Sequence, residues 1–416
     1  MPNADLDEIK VINLDTGAEF TSWTSATLQS DFLTPCDSFQ LDCGAEIAGT
    51  ELAKQLRAGT KIQIFINEQP QLTGYVDRTQ VQSGRGGTRV SISGRDFLGQ
   101  LVDSNVDPRM QIAKDASIET ILKTVLTDQF GIEYELKTNY DARSICTGKK
   151  IGQKKNYTGR RSRKDPLKNV QPQDNEGAFG YLSKILTAHG YWLWAMPDGT
   201  GVVVSGPDYT QKPAFNLTTR YSLNANEKTA QNNVIEGTAH NDETNVPSHV
   251  IVRGQGGPGG KAAIKGMAMN PVASRFRPVY IVNQTNDKLS AETRAKLFLA
   301  KQLRNWFHYE CTVAGFSQNG TIWAVDTVAT VLDEICGVEG LMWVESRTFS
   351  KSRSSGTTTK LKLIPLGSLV LDYQPDENVT VPAAYGPLNA DFKLNKPTEP
   401  IIGLYGIQFY QDFNKQ

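Results

Sequence analysis

Hydrophobic and polar positions alternate through the first hundred residues. Phe39, Leu41 and Cys43 fall on one side of an extended chain, and Ile62, Ile64 and Ile66 on one side of another. Glu68-Gln69-Pro70-Gln71 breaks this run before Leu72–Val76. Gly84-Arg85-Gly86-Gly87 separates a strand around Val81 from Val90–Ile92. Short strands at regular spacing with turn chemistry between them predict a β-barrel or sandwich.

The period then changes. Ile118, Ile121, Leu122, Val125 and Leu126 recur at helical spacing, with Ser117 placed to cap the N-terminus and Gly131 to stop the helix. A second helix over 175–190 carries Phe179, Leu182, Ile185 and Leu186 on one face and ends at Gly190. Pro197-Asp198-Gly199 joins two apolar runs as a hairpin. Residues 106–206 therefore form a mixed α+β insert in a strand-rich chain.

Strand character resumes around 232–254, and the first module, residues 1–105, is expected to be completed by 207–245. Residues 246–372 form a second β-module with a long helix over 290–309, whose stripe is Leu297, Ala300, Leu303 and Phe307. Asn319-Gly320 and Ser354-Ser355-Gly356 are two of its turns. Residues 373–416 hold five prolines and no period, yet end in an apolar segment, 401–410. This is an extended C-terminal arm, packed on its own body or on a neighbouring chain.

Lys+Arg and Asp+Glu are equal at 44 each, so the chain as a whole is no electrostatic glove for nucleic acid. Charge is concentrated in one place: 149–168 holds nine basic residues against Asp165 alone. Arg160, Arg161 and Arg163 in this loop are candidate partner-binding residues, for DNA phosphates or an acidic protein. A solvated loop is the alternative. With Tyr157 as its only aromatic, base stacking is poorly supported. Ile402, Leu404, Tyr405 and Phe409 of the arm are the other candidate partner contacts.

No apolar run approaches the ~20 residues of a membrane helix, and the N-terminus reads as lacking an export signal. Five cysteines without CxxC spacing predict neither a disulfide framework nor a metal site. The Gly-rich segment 254–266 lacks P-loop spacing, and Lys261 is followed by Ala262 where a Ser or Thr belongs. No HExxH or GxSxG occurs, and His189, His240, His249 and His308 are scattered. No catalytic residue, cofactor or small-molecule substrate is predicted. Asp326, Asp333 and Glu334 are the carboxylates to consider if the chain instead cleaves cell-wall or other polysaccharide.

Several segments, in order, resemble the Mu-like contractile-tail phage baseplate hub proteins. They are SISGRDFLGQLVD (91–103), the helix from Ser117, EGAFGYLSKILTAHGYWLWAMPDGTGVVVSGP (176–207), HVIVRGQG (249–256), the helical region to Asn305, and TKLKLIPLGSLVLD (359–372). The resemblance implies two tail-tube-like β-barrel domains in one chain, so that a homotrimer presents six barrels around a DNA channel. Such a ring joins the six-fold tail tube to the three-fold central spike, with DNA only as passing cargo. The implied setting is the virion tail baseplate, with spike, tube and peripheral baseplate proteins as partners. The loop at 149–168 and the C-terminal arm are additions to that pattern.

Overall fold

The computed structural model describes residues 7–45, 48–85, 87–110, 112, 116–137, 171–173, 175–187, 190–209, 211–220, 232–254, 264–270, 275–283, 288–366, 368–369 and 393–394. Its first strands are β1 (Ile9–Asn13), β2 (Glu19–Phe20), β3 (Ser25–Asp31), β4 (Ser38–Ala45), β5 (Lys61–Ile66), β6 (Gln69–Gly84) and β7 (Gly87–Asp96). Helix α1 (Ala48–Gln55) lies between β4 and β5, and α2 (Gly99–Asp103) follows β7. Alternation decides the facing here. Ile62, Ile64 and Ile66 are each fully buried, as are Leu41 and Ile92. The break expected at 68–71 is instead a tight turn at Asn67-Glu68, both at positive φ, and Pro70 lies within β6 beside a bulge.

The insert holds α3 (Ile118–Leu122), which continues as a π-helical turn over Lys123–Gln129, then β8 (Tyr134–Leu136), α4 (Ala178–Thr187), β9 (Trp192–Ala195) and β10 (Val202–Ser205). Ser117 caps as predicted, its Oγ accepting from Thr120 N–H at 3.1 Å, and Gly131 and Gly190 take positive φ at the helix ends. The helices and the sheet β8-β10-β9 share their own core, including Leu122, Val125, Leu182 and Val204.

The remaining strands are β11 (Phe215–Thr219), β12 (Val234–Asn241), β13 (His249–Gly254), β14 (Ile264–Met269), β15 (Pro278–Asn283), β16 (Phe307–Ala314), β17 (Ser317–Gln318), β18 (Thr321–Ile322), β19 (Val328–Asp333), β20 (Val338–Ser352), β21 (Gly356–Pro365) and β22 (Lys393–Leu394). One expectation is corrected here. Residues 207–245 do not complete the first module, because β11 pairs with β19 and β12 with β16, both in the second. The long helix, α5 (Lys288–Trp306), meets the large sheet at its C-terminal end, where Arg304 lies 3.8 Å from Glu345 of β20. It also lies on a separate three-stranded sheet, β14-β13-β15, burying Ala295, Leu299 and Ala300 against Val250 and Val252. Its apolar positions match that small sheet, and the chain re-enters the large sheet only at Phe307, predicted as part of the helical stripe.

The chain is mainly β, as expected, but among the described residues the strands form no closed barrel. One 14-stranded sheet runs β12-β16-β21-β20-β3-β4-β7-β6-β5-β1-β2, with β11, β19 and β22 branching from it. Closure of the first module would need β3 to pair with a strand at the other end of the module, β1 or β2. Instead β3 is taken by β20 of the second module, over seven residue pairs from Ser346↔Asp31 to Ser352↔Ser25.

The sheet contains a repeat. Strands β3, β4, β5, β6 and β7 recur as β12, β16, β19, β20 and β21, in the same chain order, with the same neighbours and all antiparallel. The β6–β7 ladder shifts register between Val76 and Arg78, and the β20–β21 ladder between Val344 and Ser346. The backbone bonds Val76 N–H to Thr60 O (3.0 Å) and Gly59 N–H to Val76 O (2.7 Å) recur as Val344 to Thr327 (2.9 Å) and Asp326 to Val344 (3.1 Å). Gly59 and Asp326 both have positive φ. Only the outermost strand differs, β1 running antiparallel to β5 and β11 parallel to β19.

Candidate assembly interface

The two β-modules meet along the β3–β20 seam. Leu28 and Phe349 stand opposite each other there and are almost fully buried. Burying two such side chains contributes roughly 2–3 kcal/mol each. Phe349 packs edge-on against Phe316 at 4.9 Å, and the Arg347 guanidinium lies 4.5 Å over the Phe349 ring while donating to Trp323 O. Burial lowers Arg347 to about 10, so it stays cationic at neutral pH, where its charge acts on Asp37 of the first module. Asp7, before β1, ties down the same region: its Oδ2 accepts from Phe316 N–H at 2.7 Å and its carbonyl from Lys351 Nζ at 2.5 Å.

A second joint is aromatic. Phe32, just past β3, lies 4.9 Å from Trp194 of the insert and 4.9 Å from Trp343 of the second module, which meets Tyr209 edge-on. Three parts of the molecule therefore share one apolar cluster with Ile364 and Leu366. Trp343 Nε1 donates to Asp326 Oδ1 at 3.0 Å, and Asp208 N–H to the same oxygen at 2.9 Å. Desolvation nevertheless pushes the Asp326 carboxyl up to about 7.

The segment read as SISGRD closes the first module. A Cβ on Gly94 would lie 2.1 Å from Tyr75 O and 2.6 Å from the Phe39 ring, so only glycine lets that ring cross the strand. Arg95 bridges Asp77 (2.7 Å) and Asp103 (2.6 Å), linking β6, β7 and α2. Asp96 accepts from Asp37 N–H and Leu98 N–H, both at 2.9 Å, turning the chain into α2. Burial, and then the Asp37 charge, raise the Asp96 carboxyl to about 8.

Among the open strand edges of the described residues, two belong to the repeated modules. Among the described residues, β12 pairs only with β16, and its Ile235 is 62% exposed. The outer half of β6, Arg78–Gly84, pairs only with β7, and Val81 there is 48% exposed. Open edges of this length are sites for another strand.

Polar clusters among the described residues are engaged in turns and strand contacts. Asp333 accepts from Tyr309 Oη at 2.6 Å and from the N–H groups of Ile335 and Cys336, capping the turn after β19. Together with the engaged Asp326, this leaves two of the three carboxylates considered for polysaccharide cleavage, Asp326 and Asp333, committed to turns and packing. His240 and His308 stack across strands at 4.4 Å, with Glu310 beside them, and their ligating atoms lie within 4.8 Å of one another. Lys360 already neutralises Glu310 at 2.7 Å, and Lys362 and Arg304 face His308, so a cation meets positive charge there.

Arg160, Arg161, Arg163, Ile402, Leu404, Tyr405 and Phe409 lie outside the described residues. Of the arm, Lys393–Leu394 pairs with Val338 and Glu339 of the same chain. Sequence reasoning missed the seam residues Leu28, Arg347 and Phe349. Their alternation was readable, but which distant strand they meet was not.

Residues 11–96 match the sequence profile of the N-terminal domain of Mu phage baseplate assembly protein GpP-like. No curated protein sequence matches the chain. Among solved structures, the fold is similar to a tail protein from Neisseria meningitidis MC58, 24% identical, covering 89% of this chain and 99% of that one, with a TM-score of 0.70. It is also similar to the 43 kDa tail protein of prophage MuSo2 from Shewanella oneidensis, 19% identical over 87% and 98% of the two chains, TM-score 0.67. A type VI secretion component of E. coli, described as similar to the T4 tail proteins gp27 and gp5, shares the fold more distantly. It is 10% identical over 90% and 80%, TM-score 0.52.

Proposed function

We propose that this phage tail protein, whose residues 11–96 form the N-terminal domain of the Mu phage baseplate assembly protein GpP-like family, is the structural hub of a contractile-tail baseplate. Three copies form a ring around the DNA channel, each contributing two tube-like β-modules. The ring joins the six-fold tube above to the three-fold spike below, while peripheral baseplate proteins bind around it. The work is mechanical, and the chain itself catalyses nothing.

One observation carries this reading: the same five-strand module occurs twice in one chain, side by side in a single sheet. A three-membered ring of two-module chains has six similar faces toward a six-fold tube and three identical ones toward a three-fold spike. The neutral overall charge also suits a channel through which DNA slides without being gripped.

Native mass measurement of the purified chain, alone and with its spike protein, tests the reading. Three copies per assembly is the expected result. A stable complex with any other number of copies overturns it.

A further inference from the structure

The repeat specifies more than a ring: it gives the contact between neighbouring chains residue by residue. Within the chain, β20 changes partner at its bulge. Its inner half, to Trp343, pairs with β19, and its outer half, Ser346–Ser352, pairs with β3. The equivalent strand β6 has the same bulge, and its inner half pairs with β5 as β20's does with β19. Its outer half, Arg78–Gly84, is the counterpart of Ser346–Ser352 but has no strand on that side among the described residues. Likewise β12 is the counterpart of β3, and its outer edge is open.

We propose that β12 of a second copy of this chain adds to the open edge of β6, reproducing between chains the seam that β3 and β20 make within one. The proposal deepens the hub reading and rests on it for the claim that copies meet side by side. Equivalent ladders fix the register. Leu28 faces Phe39 as Ala239 faces Tyr309, and Phe39 faces Gly94 as Tyr309 faces Leu363. Gly94 in turn faces Val76 as Leu363 faces Val344. Carrying the observed Ser346↔Asp31, Phe349↔Leu28 and Ser352↔Ser25 pairs through these equivalences sets Arg78 opposite Asp242 of the second copy. Val81 then faces its Ala239, and Gly84 its Glu236.

The side chains fit this register independently of the strand mapping. Arg78 meets a carboxylate, and Glu236 lands beside the basic turn that holds Arg85. Val81, exposed in the single chain, takes the place of the buried Phe349 and is covered by Ala239. The outer half of β6 already has the local supports of its counterpart. Thr79 Oγ1 donates to Leu56 O at 2.5 Å, just as Arg347 donates to Trp323 O.

Cross-linking of the full chain tests the joint. Gln80 and His240 are exposed and fall opposite each other in this register. The double variant Gln80→Cys/His240→Cys is expected to form covalent multimers on mild oxidation, seen on a non-reducing gel, while each single variant behaves as wild type. Gln80→Cys/Thr238→Cys, which reports a slip of two residues, is expected to cross-link several-fold less. Stronger cross-linking through position 238 overturns the register. An assembly of three copies that does not cross-link through 80 and 240 overturns the joint but leaves the hub reading in place. A chain that stays monomeric with and without its spike overturns both.

Discussion

Asp77 and Glu345 occupy the same position in the two β-modules: each is the extra, acidic residue of the bulge at which its long strand bends. Their surroundings differ. Asp77 is partly exposed and holds Arg95, whereas the Glu345 side chain is only 3% exposed, lies 3.1 Å from Lys362 and has Arg304 at 3.8 Å. The carbonyl of Glu345 also accepts from Phe32 N–H across the seam at 3.0 Å.

The two bulges should therefore respond unequally to truncation. Glu345→Ala leaves two partly buried cations, Lys362 and Arg304, without their partner and is expected to cost about 3 kcal/mol. Asp77→Ala, at a more exposed pair, is expected to cost about 1 kcal/mol or less. Urea unfolding of the two variants measures both, and equal losses would remove the burial argument.

The seam predicts coupled loss of protection. Phe349→Ala removes the ring that covers Leu28 and lies under Arg347, an expected destabilisation of about 3–5 kcal/mol. Hydrogen exchange should accelerate in Ser25–Asp31 as well as in Ser346–Ser352, although the two segments stand near opposite ends of the described chain. Faster exchange confined to β20 would mean that the modules hold together by other contacts.

Gly94→Ala places a methyl group against the Tyr75 carbonyl and the Phe39 ring. Neither can yield without opening the β4–β7 or β6–β7 ladder, so the variant is expected to express mainly as insoluble protein. Ser93→Ala, one residue earlier, serves as the control and should stay soluble. Solubility fractionation separates the two results.

Acid should weaken the second module through His308. Burial, Lys362 and His240 lower its pKa from the ordinary 6.5 to about 4, and Glu310 opposes them. Between those values the unfolded chain binds a proton that the folded chain does not. Stability is thus full above pH 6.5 and lost as pH falls toward 4. In His308→Gln that share of the acid sensitivity should disappear, as read from thermal unfolding across the same interval. An unchanged slope would place the titration elsewhere.

Much of the strand content was legible because burial follows local alternation. Ile62, Ile64 and Ile66 announce their facing, and Ser117, Gly131, Gly190 and Gly199 announce the ends of elements. The repeat was not legible. Equivalent positions share burial and hydrogen bonding rather than side chains: Phe39 corresponds to Tyr309, Leu41 to Cys311, Ile62 to Ala329 and Ile66 to Asp333. Which sheet α5 covers was not legible either, because helical periodicity says which face is apolar, not what covers it. The candidate interface depends on which strand lies beside which at great separation in sequence, and composition holds no trace of that.

The pairing of β3 with β20 also bears on how the protein is made. Synthesis runs from the N-terminus, so Ser25–Asp31 leaves the ribosome early. The strand that covers it follows only after the insert, the β14-β13-β15 sheet and α5 have been translated. In the interval the first module displays a bare, half-greasy border to a crowded host cell, where nascent copies on one messenger sit close together. Premature coupling of those borders is the hazard of this architecture until β20 arrives.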